Sequence, residues 1–202
     1  MRTIRISGEL TAASLKAFRR DLQLAAGHDL TVDIDSNGGS AICGLAMYSD
    51  LKHWPGTTTA RVHHAGSAAT LPMCACQRVV MGPSSTLLTH APTLRACRDL
   101  DLDVGDLQRA VDDVRTTTSM IAGIYAEKSG GSIESWLDKL RSEIRWSGQG
   151  AVNVHLADQV EGGALAVAAR SIEDTGLNAY PTPAAAQWRA WQREAQAAAR
   201  VH

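Results

Sequence analysis

Hydrophobic and polar positions along the first third of the chain follow the periods of strands and helices in turn. Runs rich in β-branched and apolar residues predict buried strands, and apolar residues three and four positions apart predict helices with one buried face. The strands are predicted at residues 3–6, 30–34 and 57–62. The helical patterns begin at Thr11 and around Ile42. Strands that alternate with helices predict an α/β fold with a parallel sheet.

The rest of the chain adds one strand region and several helices. A short buried helix is predicted over 68–75, and two apolar runs around Gly82-Pro83 predict strand structure that ends at His90. A long helical pattern over 101–128 is expected to project from the core and to meet another subunit. The remaining predicted segments are a helix from Ser132 through Leu140, a turn or short strand over 141–147, and a helix over 150–158.

Composition argues against several classes of protein. The chain has 202 residues, 45% of them hydrophobic, which is enough for one well-buried domain. Its formal net charge of −1 argues against a general nucleic-acid binder. Neither a signal peptide nor an apolar run of about eighteen residues is found, so we expect a cytoplasmic protein with no membrane segment. The four cysteines lack the spacing of a disulfide framework and are expected to be reduced and buried.

Residues 35–40 are predicted to form a loop at the end of the second strand. Asp33, Asp35 and Asn37 match the start of a calcium-binding loop, but its twelfth position is Gly44, which offers no carboxylate. A phosphate-binding loop would need Gly-Lys followed by Ser or Thr, which the sequence lacks. Two interpretations stay open for its glycine pair: a turn that needs backbone freedom, or a source of backbone amides for an oxyanion.

Ser67 follows the third predicted strand and precedes the short buried helix, so it is expected at a sharp turn among small residues. Unpaired amides at such a junction can stabilise an oxyanion, which makes this serine a candidate nucleophile. His90 ends the next strand region, and imidazole has the pKa range suited to accept a proton from a serine. Taken alone, a serine among small residues is more often a packing contact, and a histidine at a strand end is usually a polar surface residue.

Five short motifs share their order and nearly their spacing with a known family. They are Gly38-Gly39, Ser67-Ala68-Ala69, His90-Ala91-Pro92, the stretch 124–130, and His155-Leu156-Ala157-Asp158. Together they resemble the Clp protease proteolytic subunit family, and most closely its phage and prophage branch, the ClpP-like head maturation proteases. The resemblance covers roughly residues 2–165. It implies an α/β, ClpP/crotonase-like spiral of repeated βαβ units with a protruding long helix, the handle, and a ring oligomer whose active sites face a chamber.

The resemblance also implies a nucleophile and a base. Ser67 aligns with the family's serine because its spacing to His90 fits the phage branch without a gap. Thr70 is the alternative, but it would require a deletion. His90 is then the general base and afterwards the general acid.

The remaining members of the implied site are an acid and the amide donors. The family's aspartate aligns with Glu143, which gives a Ser-His-Glu arrangement, as triads on other folds use. The alternative for Glu143 is a solvated surface acid. The implied oxyanion hole consists of the amides of Ala68, Gly38 and Gly39.

Several residues depart from the family pattern. Asn37 replaces the usual proline before the glycine pair, and Pro72 falls within the first turns of the helix after Ser67. His63 and His64 replace small or apolar residues, and they fit no standard metal spacing with Cys74 or Cys76. No metal and no cofactor are therefore expected.

The expected function is that of a serine endopeptidase acting on peptide or protein substrates. Its partners would be further copies of the chain and either a separate Clp ATPase or a phage capsid or scaffold protein. Two alternatives stay open: a catalytically silent assembly subunit, and a crotonase-like enzyme acting on acyl-CoA. Residues 1–165 form the predicted protease domain and 166–202 an extension, with a predicted helix over 184–201 that carries Trp188 and Trp191.

Overall fold

The computed structural model describes residues 1–93 and 103–162, which form one mixed sheet with helices packed against it. Six strands are present in this part of the chain: β1 Arg2–Leu10, β2 Leu30–Gly39, β3 Thr58–Gly66, β4 Arg78–Thr89, β5 Ile144–Ser147 and β6 Gln159–Val160. The helices are α1 Ala12–Ala25, α2 Ala41–Lys52, α3 Thr70–Ala75, α4 Val104–Ser129, α5 Ile133–Ser142 and α6 Gly148–Asn153, and a 3₁₀ turn, Ser67–Ala69, precedes α3. The strands and helices therefore alternate as predicted.

The sheet follows chain order. Strands β1 to β4 lie side by side and parallel, β5 pairs antiparallel with β4, and β6 pairs parallel with the beginning of β4. Successive parallel neighbours joined by helices form the repeated βαβ units, which confirms the predicted α/β fold. Parallel strands place their carboxyl ends at one edge of the sheet, and that edge holds the residues after β3 and β4, including Ser67 and His90.

Several strands are longer than predicted, and the predicted loop at 35–40 is wrong. β1 continues past Gly8 to Leu10, and β2 continues through Gly39. The extra residues are extended because both neighbouring strands pair with them: Leu10 pairs with Gly39, and Ser36 pairs with Ala65. Register shifts in both pairings accommodate this irregular end of β2.

β4 is one continuous strand across Gly82-Pro83 instead of two runs. Its pairing with β3 jumps from Met81 opposite Val62 to Thr86 opposite His64, so the residues between form a bulge. Ser85 stabilises the bulge, since its hydroxyl donates to the Val62 carbonyl and accepts from the Gly82 amide.

Two helices also differ from their predicted bounds. The helix predicted over 150–158 is wrong in extent, because α6 ends at Asn153 and His155 takes a left-handed φ of 58°. α4 begins at Val104, where Asp103 caps it, and residues 101–102 lie outside the described residues. Burial in α4 is confined to the segment from Ile121 to Ala126, so its first four turns project from the body as a handle.

The core lies between the sheet and helices α1 to α4, and continues under α5 and α6. Within the described ranges, we find no helix that combines the length and the apolar character needed to cross a membrane. Cys97 and the tail with Trp188 and Trp191 lie outside the described residues.

Candidate active site

A pocket of about 480 Å³ lies at the carboxyl edge of the sheet and brings most of the predicted site residues together. Its lining includes Ser67, Ala68 and His90, together with Gly39. A pocket of this volume is in the usual range for ligand sites. Sequence reasoning missed Glu9 and Ser40, which also line it.

Ser67 lies at a strained turn between β3 and the 3₁₀ turn. Its φ is 51°, which is a left-handed conformation that non-glycine residues adopt rarely. Three other described non-glycine residues have positive φ, and all lie just after a helix. Ala26 and Glu143 directly follow α1 and α5, and His155 comes two residues after α6. Ser67 is the exception, because it joins a strand to a helical turn. Strain at such a junction is typical of functional residues.

Gly38 packs directly against this turn. A Cβ on Gly38 would lie 2.5 Å from the Gly66 carbonyl oxygen, 2.9 Å from Ser67 Cβ and 3.0 Å from the Ala68 nitrogen. Only a residue without a side chain fits there, and its φ of 93° also favours glycine. The contact places Gly38 directly beside Ser67.

The Gly38 amide already has an acceptor. It donates to Ser36 Oγ at 3.1 Å, while the Ser36 hydroxyl donates to the Gly8 carbonyl at 2.5 Å. As an oxyanion donor, Gly38 must share its N–H with Ser36 or release it. Gly39 has a φ of 144° and lines the pocket next to Leu10 and Glu9 of β1.

His90 follows the last residue of β4 and is half-buried in the pocket. Its Nδ1 lies 2.7 Å from the Ala91 carbonyl oxygen. A carbonyl can only accept, so Nδ1 carries the proton in this contact. With Nδ1 as the donor, Nε2 is the ring nitrogen left to accept a proton, as a general base requires.

Glu143 lies between α5 and β5, the strand that pairs with the end of β4. Thr89 pairs with Ile144 in the antiparallel ladder of β4 and β5, and the Ala91 amide donates to the Leu140 carbonyl at 2.9 Å. His90 is the residue after β4, and Glu143 is the residue before β5. The residue is half-buried and has a φ of 48° where α5 ends, and it is not among those that line the pocket.

An aromatic cluster of Tyr125, Trp136 and Trp146 lies beneath both halves of the site. The ring centroids of Tyr125 and Trp136 are 4.9 Å apart, and those of Trp136 and Trp146 are 6.2 Å apart. Trp146 Nε1 donates to Thr89 Oγ1 at 2.9 Å, directly before His90. These contacts fix the end of β4 against α4 and α5.

Thr70, the alternative nucleophile, is fully buried, with an exposed fraction of 0%. Its hydroxyl donates to the Ser67 carbonyl oxygen at 2.6 Å and lies 2.5 Å from the Tyr125 hydroxyl. Because the Thr70 hydroxyl is buried and engaged in these two contacts, Ser67 is favoured over Thr70 as the reactive residue.

His63 and His64 make hydrogen bonds to side chains of neighbouring strands, and the nearby cysteines are buried. His63 Nε2 is 2.8 Å from Asp33, and His64 Nδ1 is 2.8 Å from Thr86 Oγ1. Burial raises the pKa of the Cys74 thiol to about 12. Within the described part of the chain, no group of three or more histidine, cysteine or acidic residues could hold a metal ion.

The family model for Clp protease matches residues 1–163. The matched region contains every described strand and helix, and with them Ser67, His90 and Glu143. This match confirms the family that the five motifs indicate, and it supports a peptidase.

Proposed function

The chain belongs to the Clp protease family, and from that premise we propose that it is a serine endopeptidase that cleaves peptide bonds through an acyl-enzyme on Ser67. The observation that carries the serine mechanism is the conformation of Ser67. It is the one described non-glycine residue that is held in the left-handed region at a strand-to-helix junction, and it shares a pocket with a histidine.

In the proposed reaction, Ser67 Oγ attacks the carbonyl carbon of the peptide while its proton passes to His90 Nε2. The resulting oxyanion is bound by the Ala68 amide and by the glycine pair of β2. When the C–N bond breaks, His90 returns the proton to the leaving amine and an ester on Ser67 remains. Water then attacks the ester with His90 again as base, which releases the acid and restores the serine.

Glu143 is the proposed third member. Glu143 precedes β5, which pairs with the end of β4 just before His90, and its proposed role is to stabilise the imidazolium that forms after proton transfer. The Ala91 carbonyl already orients the ring through Nδ1. We therefore assign Glu143 a charge-stabilising role more than an orienting one.

Assembly is part of the proposal. Members of the family typically self-assemble into rings and cleave protein substrates. In this chain Val104 and Leu107, on the projecting half of α4, are 83% and 51% exposed, which fits a surface that a second copy covers. The sequence has no phosphate-binding loop, so energy-dependent unfolding would come from a separate Clp ATPase. A phage capsid or scaffold protein is the other proposed substrate or partner.

A catalytically silent assembly subunit is the second candidate. The specific observation in its favour is the Gly38 amide, which donates to Ser36 instead of standing free for an oxyanion.

Hydrolysis assays separate the two candidates. The purified chain is incubated with a mixture of internally quenched peptides and with an unfolded, fluorescently labelled protein. We expect cleavage, a loss on the order of 10⁴-fold or more in Ser67→Ala, and unchanged rates in the exposed-strand control Ser84→Ala. Equal rates in wild type and Ser67→Ala would contradict the serine mechanism, and a folded oligomer without activity would favour the silent subunit.

A further inference from the structure

We propose that Thr70 and Tyr125 are positioning residues that fix the peptide group between Ser67 and Ala68, so that the Ala68 N–H faces the oxyanion. This inference rests on the proposed function, because it concerns the same site. It adds two residues that lie outside the Ser-His-acid set, one of them on the handle helix.

The direction of the hydrogen bonds follows from the number of protons. A carbonyl cannot donate, so the single proton of the Thr70 hydroxyl points to the Ser67 oxygen, 2.6 Å away. Thr70 Oγ1 is then an acceptor toward Tyr125, and the phenol donates across the 2.5 Å contact. The order is Tyr125 O–H to Thr70 Oγ1, and Thr70 O–H to the Ser67 carbonyl.

This chain of bonds constrains the amide on the other side of the same peptide group. In a trans peptide, the C=O and the N–H point in opposite directions. Thr70 holds the Ser67 carbonyl toward the buried interior, so the Ala68 N–H is directed away from it. The Ala68 nitrogen lies 3.0 Å from the position of a Gly38 Cβ, on the side where the glycine pair approaches Ser67.

The Tyr125 contact distinguishes this arrangement from an ordinary helix feature. Threonine hydroxyls commonly return to a carbonyl three or four residues back, so the Thr70 bond alone would signify little. Tyr125, however, comes from the distant helix α4, has an exposed fraction of 1%, and places its hydroxyl on Thr70. Burial raises the pKa of the Tyr125 phenol, with Cys74 adding to the rise and the Thr70 bond opposing it, so the hydroxyl stays protonated as a donor.

The two residues hold a conformation that the chain would otherwise avoid. Ser67 has a φ of 51°, in the left-handed region that is unfavourable for residues other than glycine. The Thr70 backbone N–H also donates to the Ser67 carbonyl, so removing the hydroxyl bond weakens the hold on this peptide group and directs the Ala68 amide less precisely. The ground-state pocket would remain, so the loss is expected in the transition state.

The test compares four variants in peptide hydrolysis, with kcat and KM measured separately. Thr70→Val is expected to lower kcat roughly 10- to 100-fold with KM within about twofold, since the Ala68 donor is misdirected and not removed. Tyr125→Phe is expected to cost about 3- to 10-fold, and Thr70→Ser, which keeps the donor, to stay within about threefold of wild type. The double variant Thr70→Val/Tyr125→Phe should match Thr70→Val, because Tyr125 acts through Thr70.

Thr58→Val is the matched control. Thr58 is buried and its hydroxyl accepts from the Gln77 amide, at the opposite end of β3 from Ser67. It should lose stability in urea unfolding as Thr70→Val does, but keep its kcat. If Thr70→Val does not fold, Tyr125→Phe and Thr70→Ser carry the same comparison.

Three results would overturn the inference. They are an unchanged kcat in Thr70→Val or Tyr125→Phe, losses that multiply in the double variant, or losses that follow only the folded fraction. An active wild type with any of these results leaves the serine mechanism standing. An inactive wild type that is folded and assembled overturns both proposals.

Discussion

The two halves of the proposed site are held in different ways. On the nucleophile side, the Ser67 turn (residues 66–69) contacts the Gly38 backbone, and its Ser67 carbonyl accepts from the Thr70 hydroxyl, which in turn contacts the Tyr125 hydroxyl. On the base side, His90 stands half-buried just past the end of β4, and among the described residues its ring makes one hydrogen bond, to the Ala91 carbonyl.

The difference shows where this site is preorganised. Buried polar groups that are fully satisfied fix one conformation, whereas a residue at a strand end depends on the elements beside it. The aromatic cluster couples the halves, since Tyr125 belongs to the first and Trp146 anchors Thr89 in the second.

The largest effect is expected from removing the base. His90→Ala should lower kcat/KM about 10⁴-fold or more, since no other described histidine lines the pocket. His28→Ala, an exposed histidine before β2, is the control and should keep full activity. Peptide hydrolysis with equal folded fractions, checked by circular dichroism, measures both. A His90→Ala variant within tenfold of wild type would contradict the assignment.

A methyl group on the glycine that supports the serine should have the next largest effect. Gly38→Ala would place Cβ 2.5 Å from the Gly66 carbonyl oxygen, a backbone atom that cannot move aside as a flexible side chain can. Gly38 also has a φ of 93°, which is strained for alanine. We expect kcat/KM to fall on the order of 10²-fold and unfolding to require less urea.

Gly123→Ala in α4 provides the comparison for Gly38→Ala. Its Cβ would meet nothing within 4 Å, so a helical alanine there should leave activity unchanged and stabilise the fold by up to about 1 kcal/mol. If both variants behave alike, the tight contact at Gly38 has no functional role.

The smallest of these effects is expected at the acid. Glu143→Gln keeps the shape and removes the charge, and it should lower kcat about tenfold with little change in KM, because Ala91 continues to orient the His90 ring. Glu134→Gln, at the exposed start of α5, is the control. A loss near that of His90→Ala would show that Glu143 orients the ring, and no loss would remove it from the site.

Much of the fold could be predicted from local sequence patterns. Alternating strand and helix patterns predict the parallel sheet, because the helical segments repeat apolar residues every three or four positions and the strand segments are rich in β-branched and apolar residues. The end of β2 could not be read in this way. Its residues Asp35 to Gly39 are typical of loops, and they are extended because β1 and β3 pair with them, which is a tertiary effect.

Tertiary contacts also limit what the sequence predicts of the proposed site. Ser67 and His90 could be found because each follows a strand and the motif spacing relates them. From the sequence, Thr70 is only an alternative nucleophile and Tyr125 only a residue of the long predicted helix, since their contact joins residues far apart in sequence. Chemistry offers one clue: a tyrosine on the buried face of a helix buries its hydroxyl as well, and a buried hydroxyl needs a hydrogen-bond partner.

Covalent labelling of the serine tests the central claim most directly. The purified chain is treated with a fluorophosphonate probe, and the adduct is located by intact mass and peptide mapping, with His90→Ala treated in parallel. We predict one adduct, on Ser67, that is lost in His90→Ala. The buried thiols of Cys74 and Cys76, with pKa values raised to about 12, should remain unlabelled. An adduct on Thr70, or none on a folded and assembled protein, would contradict the account.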